Sequence, residues 1–141
     1  MVQRDIVMIY DVYFNLSKKL YSLRPCEGPN KGKVIGHCTS VSMRDVQFRV
    51  SEAPRQRVLR DRQKNVHATA RGIVTHAIGE NISIDNGQEL TPNHAKAKGK
   101  RVTYCPYRSG SFQTVENDTF EDIESAAQLL LDTNGNRYAI D

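Results

Sequence analysis

The sequence predicts a single α+β domain, a predominantly antiparallel β-sheet with one central, basic α-helix. Short apolar segments with strand-like alternation recur along the 141 residues, separated by turn-forming residues. Asn86-Gly87 and Asn134-Gly135 stand between apolar flanks, which is a strong hairpin signal. The segment 51–65 has a helix start and helical periodicity. No linker or repeat divides the chain, so residues 1–141 are expected to form one domain.

Four predicted strands precede the helix and pair as two hairpins, 6–16 with 20–23 and 34–41 with 45–50. The second hairpin is expected to turn near Met43 and Arg44. The loop at 24–33 begins with Arg24 and ends in a Gly-Lys pair, but neither a Ser or Thr nor a helix follows. It therefore does not match a phosphate-binding loop.

The helix is expected to begin after Ser51, a good N-cap residue, and to end near Asn65. Glu52 in the first turn suits the positive end of the helix, and Pro54 lies early enough to be tolerated.

One side of this helix carries Arg57, Arg60 and Lys64, with Asp61 beside them. A solvated charged face is one interpretation. The other is that these residues bind phosphate, because the planar guanidinium group matches that anion.

Val58 and Leu59 lie on the opposite, core-facing side of the helix, and Arg55 and Arg62 fall between them. An arginine in such a position must extend to the edge of the core or meet an anion.

After the helix we predict a strand at 66–78 and a hairpin at 79–90 around Asn86-Gly87. A polar basic loop at 91–100 and a strand at 101–107 are expected to follow. The chain is expected to end in a hairpin at 129–140, preceded by a short helix or irregular piece. The loop 91–100 has no packing residues of its own, so we expect it to be mobile or ordered by a ligand.

Aromatic residues are densest around Arg108, where Tyr104, Tyr107 and Phe112 occur. Rings beside an arginine suit a stacked base flanked by a phosphate contact. Alternatively, two of the three rings belong to the core, a role that fits Tyr104 best.

His67 lies just past the helix, close to Lys64 and Asn65, on a polar strand face. That face fits a ligand groove and an exposed sheet surface equally well.

The composition favours a cytosolic protein with anionic partners. The net charge is +4 and the pI is near 9.1, a milder excess of positive charge than duplex-binding proteins usually carry. Three widely spaced cysteines argue against a disulfide framework. No apolar run reaches membrane length, and charges interrupt the N-terminal segment, so we expect no membrane span and no secretory signal.

No motif of a catalytic, metal or cofactor site occurs in the sequence. The histidines are scattered, at positions 37, 67, 76 and 94. His37 and Cys38 are adjacent and would point to opposite faces of a strand, so they cannot readily ligate one ion. We therefore predict a protein that is not an enzyme. A nuclease or phosphodiesterase using His67 stays open as an alternative, because two remote histidines can meet in a fold.

Three stretches, VYFNLSKKLYSLR, GKVIGHCTSVSMRDVQFRVSEAPRQRVLRDRQKNVHATARG and VTYCPYRSGSF, resemble the first described family of bacteriophage anti-Thoeris proteins. Members of that family sequester nucleotide immune signals in the infected host cell.

The resemblance implies a non-enzymatic homo-oligomer, a hexamer, that binds cyclic ADP-ribose isomers and in some members cyclic di- or trinucleotides. It also implies ligand contacts by Arg57 and Arg60, by Tyr107 with Arg108, and by Asn93. Together with the residues selected above, the candidate ligand residues are Arg57, Arg60, Lys64, Asn65, His67, Asn93, Tyr107, Arg108 and Phe112. A module that binds RNA or DNA through the basic helix face is the second choice.

Overall fold

The computed structural model describes residues 9–63, 65–80, 82–86, 90–108 and 110–141. Within them lie ten strands of one antiparallel sheet and two short helices, which confirms the predicted fold class. The strands are β1 (Ile9–Asn15), β2 (Leu20–Pro25), β3 (Gly36–Val50), β4 (Ala68–Gly79), β5 (Ser83–Asp85), β6 (Lys100–Thr103), β7 (Gln113–Glu116), β8 (Thr119–Asp122), β9 (Ser125–Leu131) and β10 (Arg137–Ile140). The helices are α1 (Glu52–Asp61) and α2 (Pro92–Lys98).

The first four strands close on one another through hydrogen-bonded pairs. β1 pairs with β2 and β4, β2 pairs with β3, and β3 pairs with β4. β3 also pairs with β9, from which β10, β6, β7 and β8 extend the sheet. The larger hydrophobic core draws on both parts, with Val12, Leu23 and Met43 from the closed strands and Val102 and Leu129 from the extension.

The predicted hairpin of 34–41 with 45–50 is wrong, because the 15-residue strand β3 runs straight through its expected turn. The pairing of β3 with β4 shifts register at several places, one of them between Arg44 and Gln47, and Asp45 has a φ of 52°. Such β-bulges bend a strand without reversing it. Gly72 of β4 permits the close approach, since a Cβ there would lie 2.9 Å from the Arg44 carbonyl oxygen. Met43, placed at a turn by the sequence, is buried.

Two other predicted hairpins are confirmed. β1 and β2 pair around residues 16–19, and β9 pairs with β10 around Asn134-Gly135, where Gly135 has a φ of 82°. The short helix or irregular piece expected before the second hairpin is wrong, because 119–122 form β8 and β9 begins at Ser125. An edge strand of four exposed residues buries too little apolar surface to show a clear strand pattern.

α1 begins as predicted, but it ends at Asp61, four residues before the expected stop at Asn65. Arg62 terminates it in the left-handed conformation, with its N–H donating to the Val58 carbonyl. Ser51 occupies the N-cap position without a side-chain capping bond. Val58 is buried and Leu59 is half-buried, as the predicted core side requires.

The loop expected at 91–100 is wrong, because most of it forms α2. Thr91 caps this helix by accepting a hydrogen bond from the His94 N–H, and Pro92 opens its first turn. Ala95 is fully buried against Leu130, Tyr138 and other apolar residues of a second core cluster. The segment therefore does have a packing residue, a small one that a search for bulky apolar side chains passes over.

The hairpin expected at 79–90 is observed only in part. β5 pairs with β4 across residues 80–82, so the reversal precedes the Asn86-Gly87 pair. Gly87 lies outside the described residues, and Leu90 is not in a strand.

A groove beside strand β3

A groove of about 600 Å³ runs along the edge of β3, past the point where its pairing with β9 ends. Residues 47–50, 110–112 and 123–125 line it. The volume is within the range of small-molecule sites. A smaller depression of about 240 Å³ lies beside β7 and β8, but it has no aromatic lining, and its Lys100 is paired with Glu116. The groove beside β3 is therefore the candidate functional site.

Aromatic rings form the wall of the groove and continue behind it. Phe48 and Phe112 line the groove, with ring centroids 4.9 Å apart. Phe112 contacts Tyr104 at 4.9 Å, and Tyr104 contacts His67 at 5.4 Å. Phe112 is buried, whereas Phe48 is half-buried and can offer part of its ring to a ligand. The rings come from β3, from the residue before β4 and from the segment between β6 and β7, so only the folded sheet brings them together.

Polar groups line the rim of the groove. Gln47, Arg49 and Glu124 are exposed, and the Ser111 hydroxyl donates to the Asp122 carboxylate at 3.0 Å. Arg49 forms no ion pair with any residue that the structure describes. The rim therefore offers a cation for an anionic group and amide and carboxylate oxygens for hydroxyl or amino groups.

A second arginine lies directly behind the groove. Gly110 belongs to the lining, and a Cβ added to it would be 3.2 Å from Nη1 of Arg55. Arg55 donates from Nε and Nη2 to the Pro106 carbonyl and from Nη1 to Glu52 at 2.8 Å. The helical periodicity predicted that this arginine lies on the core side of α1, where it must either meet an anion or extend to the edge of the core. The structure supplies a carbonyl oxygen and an exposed carboxylate.

A buried polar atom behind the rings, Nε2 of His67, has no hydrogen-bond partner among the described residues. Nδ1 of His67 lies 2.7 Å from the Asn65 carbonyl. Because a carbonyl only accepts, Nδ1 must carry the proton, and in the neutral ring Nε2 is then an acceptor. Burial raises the pKa of the Tyr104 hydroxyl, and the charge of Arg55 offsets part of that effect.

The basic side of α1 does not face the groove. Arg57 and Arg60 are exposed, and Nε of Arg60 lies 3.0 Å from the Asp61 carboxylate. Asn65 is also exposed, and Lys64 lies outside the described residues. The exposure of Arg57 and Arg60 fits both interpretations of this side of the helix, a solvated charged face and a phosphate-binding one.

The remaining candidate residues are distributed over different surfaces. Asn93 is exposed on α2. Tyr107 is exposed, with the Arg62 guanidinium 5.5 Å from its ring centroid. Arg108 lies 4.5 Å from the ring of Phe120 rather than on the cluster of Tyr104 and Phe112. Of the nine candidates, Phe112 lines the groove and His67 belongs to the ring series behind it.

Sequence reasoning missed most of the groove. Phe48, Arg49 and Glu124 were not selected because each lies in an ordinary strand or acidic segment. The alternation of 45–50 carried one usable signal, since Arg49 is exposed while Phe48 faces inward. Their proximity to residues 110–112 and 123–125 depends on the sheet order, which local patterns do not encode.

Metal-ligating side chains are dispersed in the described part of the chain. No group of three or more His, Cys, Asp or Glu side chains there is arranged to hold a metal ion. Cys26, Cys38 and Cys105 are free thiols. His37 is hydrogen-bonded through Nδ1 to the Ser22 hydroxyl at 3.0 Å. No helix in the described ranges is both long and apolar enough to cross a membrane.

Comparisons with known proteins give a family match. Residues 7–139 match the protein family described as Mycobacterium phage L5 gene 82 protein. The gene 82 protein of Mycobacterium phage L5 is 35% identical over 125 residues, which cover 84% of this chain and 81% of that protein. No solved structure matches the chain significantly.

Proposed function

This chain belongs to the family of the gene 82 protein of Mycobacterium phage L5, and we propose that it binds a cyclic nucleotide in the groove beside β3 and thereby withholds an immune signal of the infected cell. The main support for this proposal is the groove itself. It has a nucleotide-compatible volume, an aromatic wall and nearby arginines. The resemblance to the anti-Thoeris proteins suggests the ligand class, cyclic ADP-ribose isomers or cyclic dinucleotides.

Each part of a nucleotide has a suitable counterpart in the groove. The exposed part of the Phe48 ring can stack on a base, a contact that tolerates any base because each has a π-face. The Arg49 guanidinium can bind a phosphate by two parallel hydrogen bonds. The Glu124 carboxylate and the Gln47 amide can accept hydrogen bonds from ribose hydroxyls.

We further propose that the protein captures its ligand without turnover. Among the residues that the structure describes, the groove lining contains neither histidine nor cysteine, and the Ser111 hydroxyl donates a hydrogen bond to the Asp122 carboxylate. His67 lies behind the rings, with Nε2 sealed from solvent. Hydrolysis would need an activated nucleophile or a positioned base next to the bound phosphate.

Native mass spectrometry tests capture and oligomeric state together. The purified protein is mixed with cyclic ADP-ribose isomers and with cyclic dinucleotides, and the ligand is recovered after denaturation. We expect a homo-oligomer, a hexamer by the resemblance, that gains whole-ligand masses and releases the ligand unchanged. A protein that binds none of these nucleotides, or that returns a cleaved product, would refute the proposal.

Two arginine variants decide between the groove and the helix face. Arg49→Ala removes an exposed groove cation, whereas Arg57→Ala removes an exposed cation of α1, so both lose one positive charge. We expect Arg49→Ala to weaken nucleotide binding by about 1.5–3 kcal/mol, roughly 10- to 150-fold in Kd, since it loses a charged hydrogen bond. Arg57→Ala should bind like the wild type. The reverse order in isothermal titration calorimetry would move the site to the helix.

Binding of RNA or DNA is the second candidate, and the exposed Arg57 and Arg60 of α1 favour it. The Asp61 carboxylate beside Arg60 weakens that face as a polyanion site. Nucleic-acid binding would fall steeply with salt and rise with oligonucleotide length, whereas binding of one small nucleotide would show neither trend to that degree. A mobility shift with short and long oligonucleotides at two salt concentrations separates these candidates.

A further inference from the structure

Arg137 is a half-buried cation on the core-facing side of β10, with no counterion among the residues that the structure describes. It opens β10 on the face that also carries Ala139, and it is cross-strand to Leu131 and Val102, all three in the larger core. Its guanidinium lies 5.4 Å from the ring centroid of Phe112. Neither an ion pair nor a side-chain hydrogen bond joins it to the residues that the structure describes.

The buried carboxylate closest to Arg137 in sequence is engaged elsewhere. Oδ1 of Asp132 accepts hydrogen bonds from the backbone N–H groups of Asn134 and Asn136, each at 2.9 Å. The Tyr21 hydroxyl near Arg137 donates to the Asp132 carbonyl at 2.7 Å. Neither group neutralises the guanidinium.

An uncompensated guanidinium in this position is unfavourable for the free protein. Burial lowers the pKa of Arg137, which records the cost of desolvating the charge, yet arginine does not lose its proton in proteins. The π-face of Phe112 offsets only part of that cost. A half-buried guanidinium without an ion pair can still gain a partner, and an anion is the group that it binds best.

Phe112 connects Arg137 to the groove. The same ring lines the groove and contacts the guanidinium, and together with Phe48 it forms the aromatic wall. We propose that Arg137 is an anion-binding residue of the groove, whose guanidinium binds a phosphate group of a ligand that reaches past Phe112. The proposal rests on the proposed function for the identity of the groove as a nucleotide site. It goes beyond that function by adding to Arg49 a second phosphate contact, from a half-buried arginine beside Phe112.

The assignment has a testable consequence, because a residue that pairs only with a ligand destabilises the protein in its absence. Arg137→Met keeps an unbranched apolar stem and removes the charge. We expect this variant to unfold at a melting temperature at least about 3 °C above that of the wild type in chloride. Arg101→Gln is the matched control, since Arg101 is exposed on the neighbouring β6 and the variant loses the same charge.

Inorganic phosphate and pyrophosphate serve as probes, with chloride at matched ionic strength as the reference. We expect both probes to raise the melting temperature of the wild type and of Arg101→Gln more than chloride does. Arg137→Met should lose that increment, and Arg137→Lys should keep part of it. No phosphate-specific increment in the wild type, an increment that persists in Arg137→Met, or an Arg137→Met protein that is less stable than the wild type would each overturn the assignment.

A change of oligomeric state in Arg137→Met, with the phosphate increment retained, would also overturn it and would mark Arg137 as a contact between copies. Should Arg137→Met not fold, Arg137 is structural and the assignment fails. The test is separable from the proposed function. Nucleotide binding that is unchanged in Arg137→Lys and Arg137→Met refutes only the assignment, whereas a phosphate increment without nucleotide binding refutes only the function.

Discussion

Asp11→Asn should destabilise the protein because Asp11 links β1 to both of its neighbouring strands, β2 and β4. Asp11 is 7% exposed and lies on β1 directly opposite Arg24 of β2 and Arg71 of β4. Arg71 donates to it from Nε and Nη2, both at 2.8 Å, and Arg24 approaches to 4.0 Å. Thr69 adds a hydrogen bond at 3.3 Å. An amide at position 11 retains one acceptor oxygen and loses the charge.

The expected cost follows from the burial of the two partners. Breaking a fully buried ion pair costs about 3–5 kcal/mol, and an exposed pair contributes about 0.2–1 kcal/mol. Asp11 is buried and the Arg71 side chain is 36% exposed, so we expect a loss between these ranges, about 2 kcal/mol. Urea unfolding at neutral pH measures it. Asp61→Asn is the matched control, since its ion pair with Arg60 is exposed, and we expect little change there.

The same pair predicts a pH dependence. Burial raises the pKa of Asp11, but the hydrogen bond and charge of Arg71, with Arg24 and Cys26, outweigh it and hold the pKa below its ordinary value. Because the folded-state pKa is lowered, the contribution is fully present above the unfolded-state pKa of about 3.9 and is lost as the pH falls through the folded-state value. The difference in unfolding free energy between wild type and Asp11→Asn should therefore shrink in acid. A difference independent of pH, or one below about 0.5 kcal/mol at neutral pH, would refute the reasoning.

Two further predictions concern packing and thiol reactivity. Gly72→Ala should lower the unfolding free energy by about 1–3 kcal/mol, because its Cβ would meet the Arg44 and Asp45 carbonyl oxygens at 2.9 and 3.1 Å. This loss is expected although alanine is ordinarily the better strand residue. A neutral result in urea unfolding would mean that the bulge of β3 relaxes. Burial raises the pKa of the Cys38 thiol to about 11. Iodoacetamide should therefore label Cys105 in the native protein and Cys38 only after unfolding, as measured by mass spectrometry. Equal labelling rates of the two thiols would contradict this expectation.

Local sequence patterns predicted the elements whose conformation depends on neighbouring residues in the chain. The turn of β9 with β10 was predictable because Gly135 adopts a positive φ at low cost beside Asn134. The start of α1 was predictable from Ser51 and the first-turn carboxylate, whereas its end was not. Arg62 leaves the helix in the left-handed conformation, and no glycine marks that position.

The candidate site was predictable only in its chemistry. The sequence pointed to arginines beside aromatic rings. In the structure, Phe48 and Arg49 line the groove and Arg55 lies behind it, whereas the basic side of α1 does not face it. Arg55 was recognised as an arginine that needs a partner, because helical periodicity shows which side faces the core. The sequence did not indicate that Arg137 faces the core side. In a strand of four residues, the pairing with β9 and β6 determines which side chains point inward.

The sequence by itself determined an antiparallel sheet, one basic helix, the first and last hairpins and a net positive charge, because turn residues, periodicity and net charge are local or additive properties. The tertiary structure alone decided that β3 passes through its expected turn, that 92–98 forms a helix over the Leu130 cluster, and that rings from distant segments meet beside Arg137. These features depend on which strand lies next to which. A bulge such as the one at Asp45 is stable only because Gly72 on the neighbouring strand leaves room for it.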